Sequence, residues 1–201
     1  LASARSKVFE ALPTAGLPYQ FSDWPEFERF MTALVRAKAI KTIREVWWDI
    51  RPHPDFGTVE LRICDGVPTL TEVAAVAALS QCLVDWMDSR LDGGGTLELL
   101  PSWVLRQNKW RAARYGVEAE IIMDDEGQVV GLGEALAHLV EDLAPVAERL
   151  GCESELGRVM VMAERPSYLR QREIVGAGGS LADVVDCLAA ELRTDEAWRV
   201  R

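Results

Sequence analysis

Four ionisable residues, Asp49, Arg51, Glu60 and Arg62, stand at alternate positions within WWDIRPHPDFGTVELRICDG, residues 47–66. Successive side chains of a β-strand point to opposite faces. Two strands with this spacing would therefore turn all four groups to one side. Carboxylate oxygens on such a face can hold a hard cation such as Mg²⁺, and guanidinium forks can hold phosphate or carboxylate oxygens. A face carrying both signs and closed off from bulk water could bring a divalent metal and an anion together. A face open to water would do none of this, because exposed ion pairs are worth under about 1 kcal/mol. Pattern alone leaves the two readings level. The tryptophan pair and the apolar helix that follows favour the enclosed face.

The residues around these four read as two strands. Val46 to Arg51 and Thr58 to Asp65 are rich in β-branched and aromatic residues, alternate with period two, and are joined by a link containing Pro and Gly. A link symmetrical about Pro54 and Asp55 would set Arg51 across from Thr58, Asp49 across from Glu60 and Trp47 across from Arg62. Directly opposed side chains have Cβ atoms about 4.5–5.5 Å apart, and like charges there are destabilising. Asp49 and Glu60 would then need a cation, a flanking arginine or a raised pKa.

A second candidate lies in RQNKWRAARYG, residues 106–116. Asn108, Arg111 and Arg114 are three apart and form one stripe on a helix. The stripe could reach a phosphate or an amino-acid carboxylate; equally, it could be a solvated face with arginine stems laid on the surface. His53, between two prolines, reads as an exposed loop residue more than as a base, and His138 as structural. Arg170 and Arg172 suit the surface more than a lid or nucleotide contact. The four cysteines suit packing, with Cys64 falling on the Glu60 side.

These groups need a scaffold, and the rest of the chain supplies mostly helix. SDWPEFERFMTALVRAKAI opens at Ser22 or Asp23 with Pro25 in the first turn and apolar residues at helical spacing. TLTEVAAVAALSQCLVDWMDSRL has Thr69 and Glu72 placed as a capping box and is apolar on most faces. A helix follows Pro101 and stops at Gly116, and a hairpin is expected around Asp125-Glu126-Gly127. Helices are expected over residues 132–150, 153–164, 167–175 and 180–192. The class is α+β.

At 201 residues, 49% of them apolar, the chain can bury a sizeable core. A net charge of −10 speaks against nucleic acid or an anionic membrane surface as the partner. No leader-like start and no apolar run near the roughly 20 residues of a membrane span stand out. Four widely spaced cysteines without a CxxC pair suggest reduced thiols and a cytoplasmic protein. Leu1 is not a start methionine, so the chain reads as the interior of a longer one.

WWDIRPHPDFGTVELRICD (47–65) together with NKWRAARYG (108–116) resembles the C-terminal half of the ATP-dependent carboxylate–amine ligases of the glutamate–cysteine ligase type 2 family. ASARSKVFEALPTAG and SYLRQRE, near the two ends, are weaker parts of the same resemblance. The resemblance covers nearly the whole chain, taken as one domain fragment over residues 1–201. It implies a glutamine-synthetase-like fold, an antiparallel sheet funnel flanked by helices, of which this chain supplies about half. It also implies that ATP phosphorylates the γ-carboxylate of glutamate and that an amine attacks the acyl phosphate. Residue by residue, Glu60 would be a Mg²⁺ ligand and Arg62 would touch the ATP γ-phosphate and the acyl phosphate. Asn108, Arg111 and Arg114, with Arg51 as a weaker member, would be ligand-binding. Implied partners are amino-acid substrates, the N-terminal half of the same protein and further copies in a homo-oligomer. A rival expectation is a non-catalytic binding or assembly subunit that keeps the fold.

Overall fold

Asp23 accepts a hydrogen bond from the Glu26 amide at 2.7 Å, Pro25 sits in the first turn, and together they start the helix Trp24–Arg36 (α2). It follows a short helix, Ala4–Phe9 (α1). A computed structural model describes residues 1–198 and divides the chain into two compact units. The first spans residues 3–65; the second comprises residues 66 onward together with Leu1 and Ala2.

In the first unit, a 3₁₀ turn over Ile43–Glu45 leads into the strand Ile50–His53 (β1). A second 3₁₀ turn, Pro54–Phe56, and a left-handed Gly57 with φ +59° turn the chain into Thr58–Leu61 (β2). The two strands pair antiparallel, with Arg51 opposite Glu60, Ile50 opposite Leu61 and His53 opposite Thr58. The register expected from the link is thus two residues out. The turn occupies residues 54–57 rather than centring on Pro54-Asp55, because the 3₁₀ turn and the positive φ of Gly57 use two further residues. A two-residue slip leaves every side chain on its expected face but replaces a carboxylate pair with an arginine–carboxylate pair. The core of this unit joins Phe27, Ile40, Val46 and Trp48, with Phe21, Phe30, Met31 and Leu34 against them.

The second unit is helical. Thr69 and Glu72 form the capping box of Leu70–Asp92 (α3). Ser102–Tyr115 (α4) precedes the strands Glu120–Ile122 (β3) and Val129–Gly131 (β4), an antiparallel hairpin. Leu132–Leu150 (α5), Glu153–Glu164 (α6), Ser167–Gly176 (α7) and Leu181–Thr194 (α8) complete it. Its core is made where α3 meets α5 and α6, from Ala75, Ala78, Cys82, Leu143, Val146, Ala147, Leu156 and Val159. By length and composition α3 is long and apolar enough to cross a membrane, which corrects the expectation that no run in the chain approaches a span. Here its small side chains Ala75, Ala78 and Cys82 let the neighbouring helices approach closely.

Arg170 departs from its surface reading. Its guanidinium is buried and bonds to Glu72 and Glu191, each at 2.8 Å, tying α3, α7 and α8 together. The class is α+β as expected, with helices dominating and two two-stranded antiparallel sheets among the described residues.

Candidate functional site: the charged face of the first hairpin

The hairpin of the first unit is built with its polar side inward. Arg51 is 5% exposed and His53 7%, whereas Ile50, Val59 and Leu61 on the other face are 40% exposed or more. That is the reverse of an ordinary half-buried antiparallel sheet, which buries its apolar side chains. The charged face is therefore enclosed at Arg51 and His53 and opens to solvent at Glu60. The apolar face expected to continue from Val46 and Trp48 is buried at those two residues and turns outward at Ile50.

Arg51 explains the inversion. One terminal nitrogen, Nη1, donates to the carbonyls of Ile43, Arg44 and Val46 at 3.1, 2.9 and 3.0 Å, closing the 3₁₀ turn that precedes the strand. The other, Nη2, donates to Glu60 Oε2 at 2.5 Å. Arg62 Nη1 donates to the second oxygen of the same carboxylate, Oε1, at 2.6 Å. Glu60 thus stands between two guanidinium groups. Partial burial pushes its carboxyl pKa up, but hydrogen bonds and charge from Arg51 and Arg62 outweigh burial and hold it below the ordinary glutamate value. Glu60 is ionised at neutral pH, and its side chain remains 40% exposed.

Arg62 is held by residues that sequence reasoning did not assign to the site. Its guanidinium lies 4.8 Å from the Trp47 ring centre, a cation–π contact, and Phe9 of α1 packs edge-on against Trp47. Arg5, also on α1, donates to the Arg62 carbonyl at 2.9 Å. The Trp47 amide bonds to the Thr14 carbonyl and the Asp49 amide to the Gly16 carbonyl, so residues 14–16 brace the approach to β1. The signals for these supports in the sequence were the expected place of Trp47 across from Arg62 and the family-like stretch ASARSKVFEALPTAG, which holds Arg5, Phe9 and Thr14.

His53 is not an exposed loop residue. It ends β1, is buried, and stacks on Phe56 with ring centres 4.4 Å apart. Its Nδ1, with Nε of Arg51 and of Arg62, has no hydrogen-bond partner among the described residues although buried. Such atoms normally find one. Two guanidinium groups facing one carboxylate, with two buried N–H groups still free, suit an anion such as a phosphate. For a divalent metal the chain offers less: no group of three or more His, Cys, Asp or Glu converges among the described residues. Mg²⁺ commonly takes one or two carboxylates and completes its shell with water and phosphate oxygens. Glu60 fits as one contributor to such a shell and not as a whole site.

The stripe on α4 lies in the second unit and is tied to that unit's own hairpin. The Asn108 amide nitrogen donates to the Ile122 carbonyl and its oxygen accepts from the Ile122 amide, both at 2.8 Å. Asn108 thereby takes the place of a neighbouring strand along β3. Arg111 donates to the Glu120 carbonyl at 3.1 Å, and Arg114 lies over the Tyr115 ring. Asn108 uses one donor and one acceptor in this way, and Arg111 and Arg114 keep N–H groups to spare. A cavity of about 320 Å³ in the same unit is lined by Thr69, Glu72, Arg158, Arg165 and Arg170 among others, and none of the expected site residues borders it. His138 is exposed on α5, and Cys64 is exposed beyond β2.

The model of glutamate–cysteine ligase family 2 matches residues 1–186. A Frankia alni protein carrying the provisional name glutamate–cysteine ligase 2-1 is 58% identical over 96% of this chain and 51% of its own length. A Thermobifida fusca protein provisionally named glutamate–cysteine ligase 2 is 53% identical over 96% of this chain and 49% of its own length. The chain spans about half the length of these curated relatives.

Proposed function

The chain belongs to glutamate–cysteine ligase family 2, and from that premise we propose that it forms the C-terminal half of an ATP-dependent carboxylate–amine ligase. The reaction joins the γ-carboxylate of glutamate to an amine, typically that of cysteine, through an acyl phosphate. The observation that supports this reading is the inward-facing Arg51–Glu60–Arg62 cluster, a carboxylate held between two arginines with buried N–H groups left over.

Mg²⁺–ATP, when bound, supplies the phosphoryl group. Arg62 is the residue that neutralises charge on the transferring phosphoryl oxygens. Phosphoryl transfer to a carboxylate crowds anions together, so positioning and charge neutralisation dominate catalysis. Glu60 contributes one oxygen to the metal. Taking that role requires one of its arginine bonds to open, and the Arg62 side chain, 19% exposed against 6% for Arg51, is the freer to move. Arg51 is a positioning residue that fixes Glu60 to the 3₁₀ turn. Arg111 and Arg114 offer N–H groups to an anionic part of the substrates, with Asn108 anchoring their helix to β3. The remainder of the polypeptide completes the sheet funnel and covers the apolar face of Ile50, Val59 and Leu61. The enzyme works on amino-acid substrates, as a homo-oligomer, in the cytoplasm.

The test is ADP release by the full-length protein, screened over glutamate with several amines. Turnover should require both substrates, and Glu60→Gln or Arg62→Ala should lower kcat by on the order of 10²–10³. Absence of turnover with every pair, or variants as active as the parent, would overturn the assignment. One feature favours the rival reading of a non-catalytic subunit: both Glu60 oxygens are already bound to arginine. Calorimetry separates the two, since a working site binds nucleotide in a Mg²⁺-dependent way and a scaffold does not.

A further inference from the structure

Sequence alone gives the four cysteines no role beyond packing. The fold brings two of them together: Cys82 Sγ on α3 lies 3.6 Å from Cys152 Sγ at the start of α6, across 70 residues of chain. We propose that Cys82 and Cys152 form a peroxide-responsive dithiol, which closes into a disulfide that fastens α3 to the junction of α5 and α6. This site is independent of the ligase reading.

Accessibility divides the roles. Cys82 is fully buried in the core of the second unit, while Cys152 is partly open to solvent. Burial, followed by the neighbouring Cys152 thiol, pushes the Cys82 thiol up to about 11, so it stays protonated at neutral pH. Asp85 and Arg149, paired with each other, are the charged groups beside it. Cys152 therefore meets the oxidant first. Its sulfur attacks one oxygen of hydrogen peroxide, breaking the O–O bond and giving a sulfenic acid and water. The Cys82 sulfur then displaces the sulfenic oxygen, which leaves as water with the Cys82 proton. Two thiols and one peroxide become one disulfide and two waters.

The sulfurs must approach from 3.6 Å to about 2.05 Å. The Cys152 side can supply that movement. It follows Gly151, in the left-handed conformation at φ +68°, and its side chain makes no capping hydrogen bond with α6. Cys82 sits in the middle of a 23-residue helix and stays in place.

The test treats the full-length protein with hydrogen peroxide, alkylates it under denaturing conditions, and maps the digest by mass spectrometry. The expected result is a Cys82–Cys152 peptide pair lacking two hydrogens, reversed by dithiothreitol and lost in Cys152→Ser. A parallel run on Cys64→Ser/Cys187→Ser should give the same pair, together with a rise in Tm upon oxidation. Both thiols still alkylating while exposed Cys64 is oxidised would overturn the proposal. So would Cys152 running on to sulfinic acid without a cross-link, or pairing with Cys64 instead. Mapping of the unmutated protein decides the matter even if a variant fails to fold.

Discussion

Replacing Arg51 with alanine should weaken the first unit, whereas replacing Arg62 should chiefly silence the chemistry. Arg51 satisfies three carbonyls at 2.9–3.1 Å, and of their residues Val46 is fully buried, Ile43 half-buried and Arg44 exposed. A buried polar group left without a partner costs about 1–3 kcal/mol; the Val46 carbonyl carries most of this, since water can reach Arg44. The Arg51–Glu60 pair, with its carboxylate 40% exposed, adds no more than about 1 kcal/mol. With the lost packing of a buried stem, Arg51→Ala should cost about 3–4 kcal/mol. For Arg62→Ala, the contact with Trp47 and the pair with Glu60 together come to about 1–2 kcal/mol. Hydrogen exchange of the amides over residues 43–62 reads the difference locally. A loss of about 3 kcal/mol should speed exchange there by roughly 100-fold, at tenfold per 1.4 kcal/mol. Arg62→Ala should speed it by about tenfold or somewhat more, while lowering turnover far more than that. If Arg51→Ala left exchange unchanged and abolished turnover as completely as Arg62→Ala, Arg51 would be a substrate contact and the positioning role would fall.

Arg170→Met strands Glu72 and Glu191 inside the second unit and should lower stability by about 3–5 kcal/mol in urea denaturation. The triple variant with Glu72→Gln and Glu191→Gln should recover much of that loss; no recovery would refute the ionic explanation. Gly116→Ala forces a side chain onto a backbone at φ +63°, ψ −131° and places a Cβ 2.3 Å from the Tyr168 hydroxyl. The strain should cost at least about 2 kcal/mol, seen as a lowered Tm. The Cys82 thiol has its folded pKa raised to about 11 from an ordinary 9.0. Its stabilising contribution is therefore complete below about pH 9 and is lost as pH climbs through 11. Between pH 8 and 11, the unmutated protein should lose about 2 kcal/mol more than Cys82→Ala does; equal losses would show that the thiol is not shielded.

The helices could be read locally because their signals are local. The Thr69–Glu72 capping box, Asp23 with Pro25, and the stop at Gly116 each act within one turn of chain, and all are found where expected. The common face of Arg51, Glu60 and Arg62 was legible for the same reason: alternation follows from strand geometry, and a two-residue slip leaves it intact. The strand limits and the register were not. They depend on how many residues a 3₁₀ turn and a left-handed glycine consume between His53 and Thr58.

The chain's order of residues was enough to determine which side chains share a face and which family's motifs they carry. Tertiary structure alone decided which face is enclosed and what each charge meets. Arg51 turns inward because the carbonyls of Arg44 and Val46, up to seven residues earlier, take its donors. Arg170 lies between two carboxylates supplied by helices far apart in sequence, and Cys82 meets Cys152 only because α3 and α6 pack together. Burial and partnership are properties of three-dimensional packing, which no short window of residues encodes.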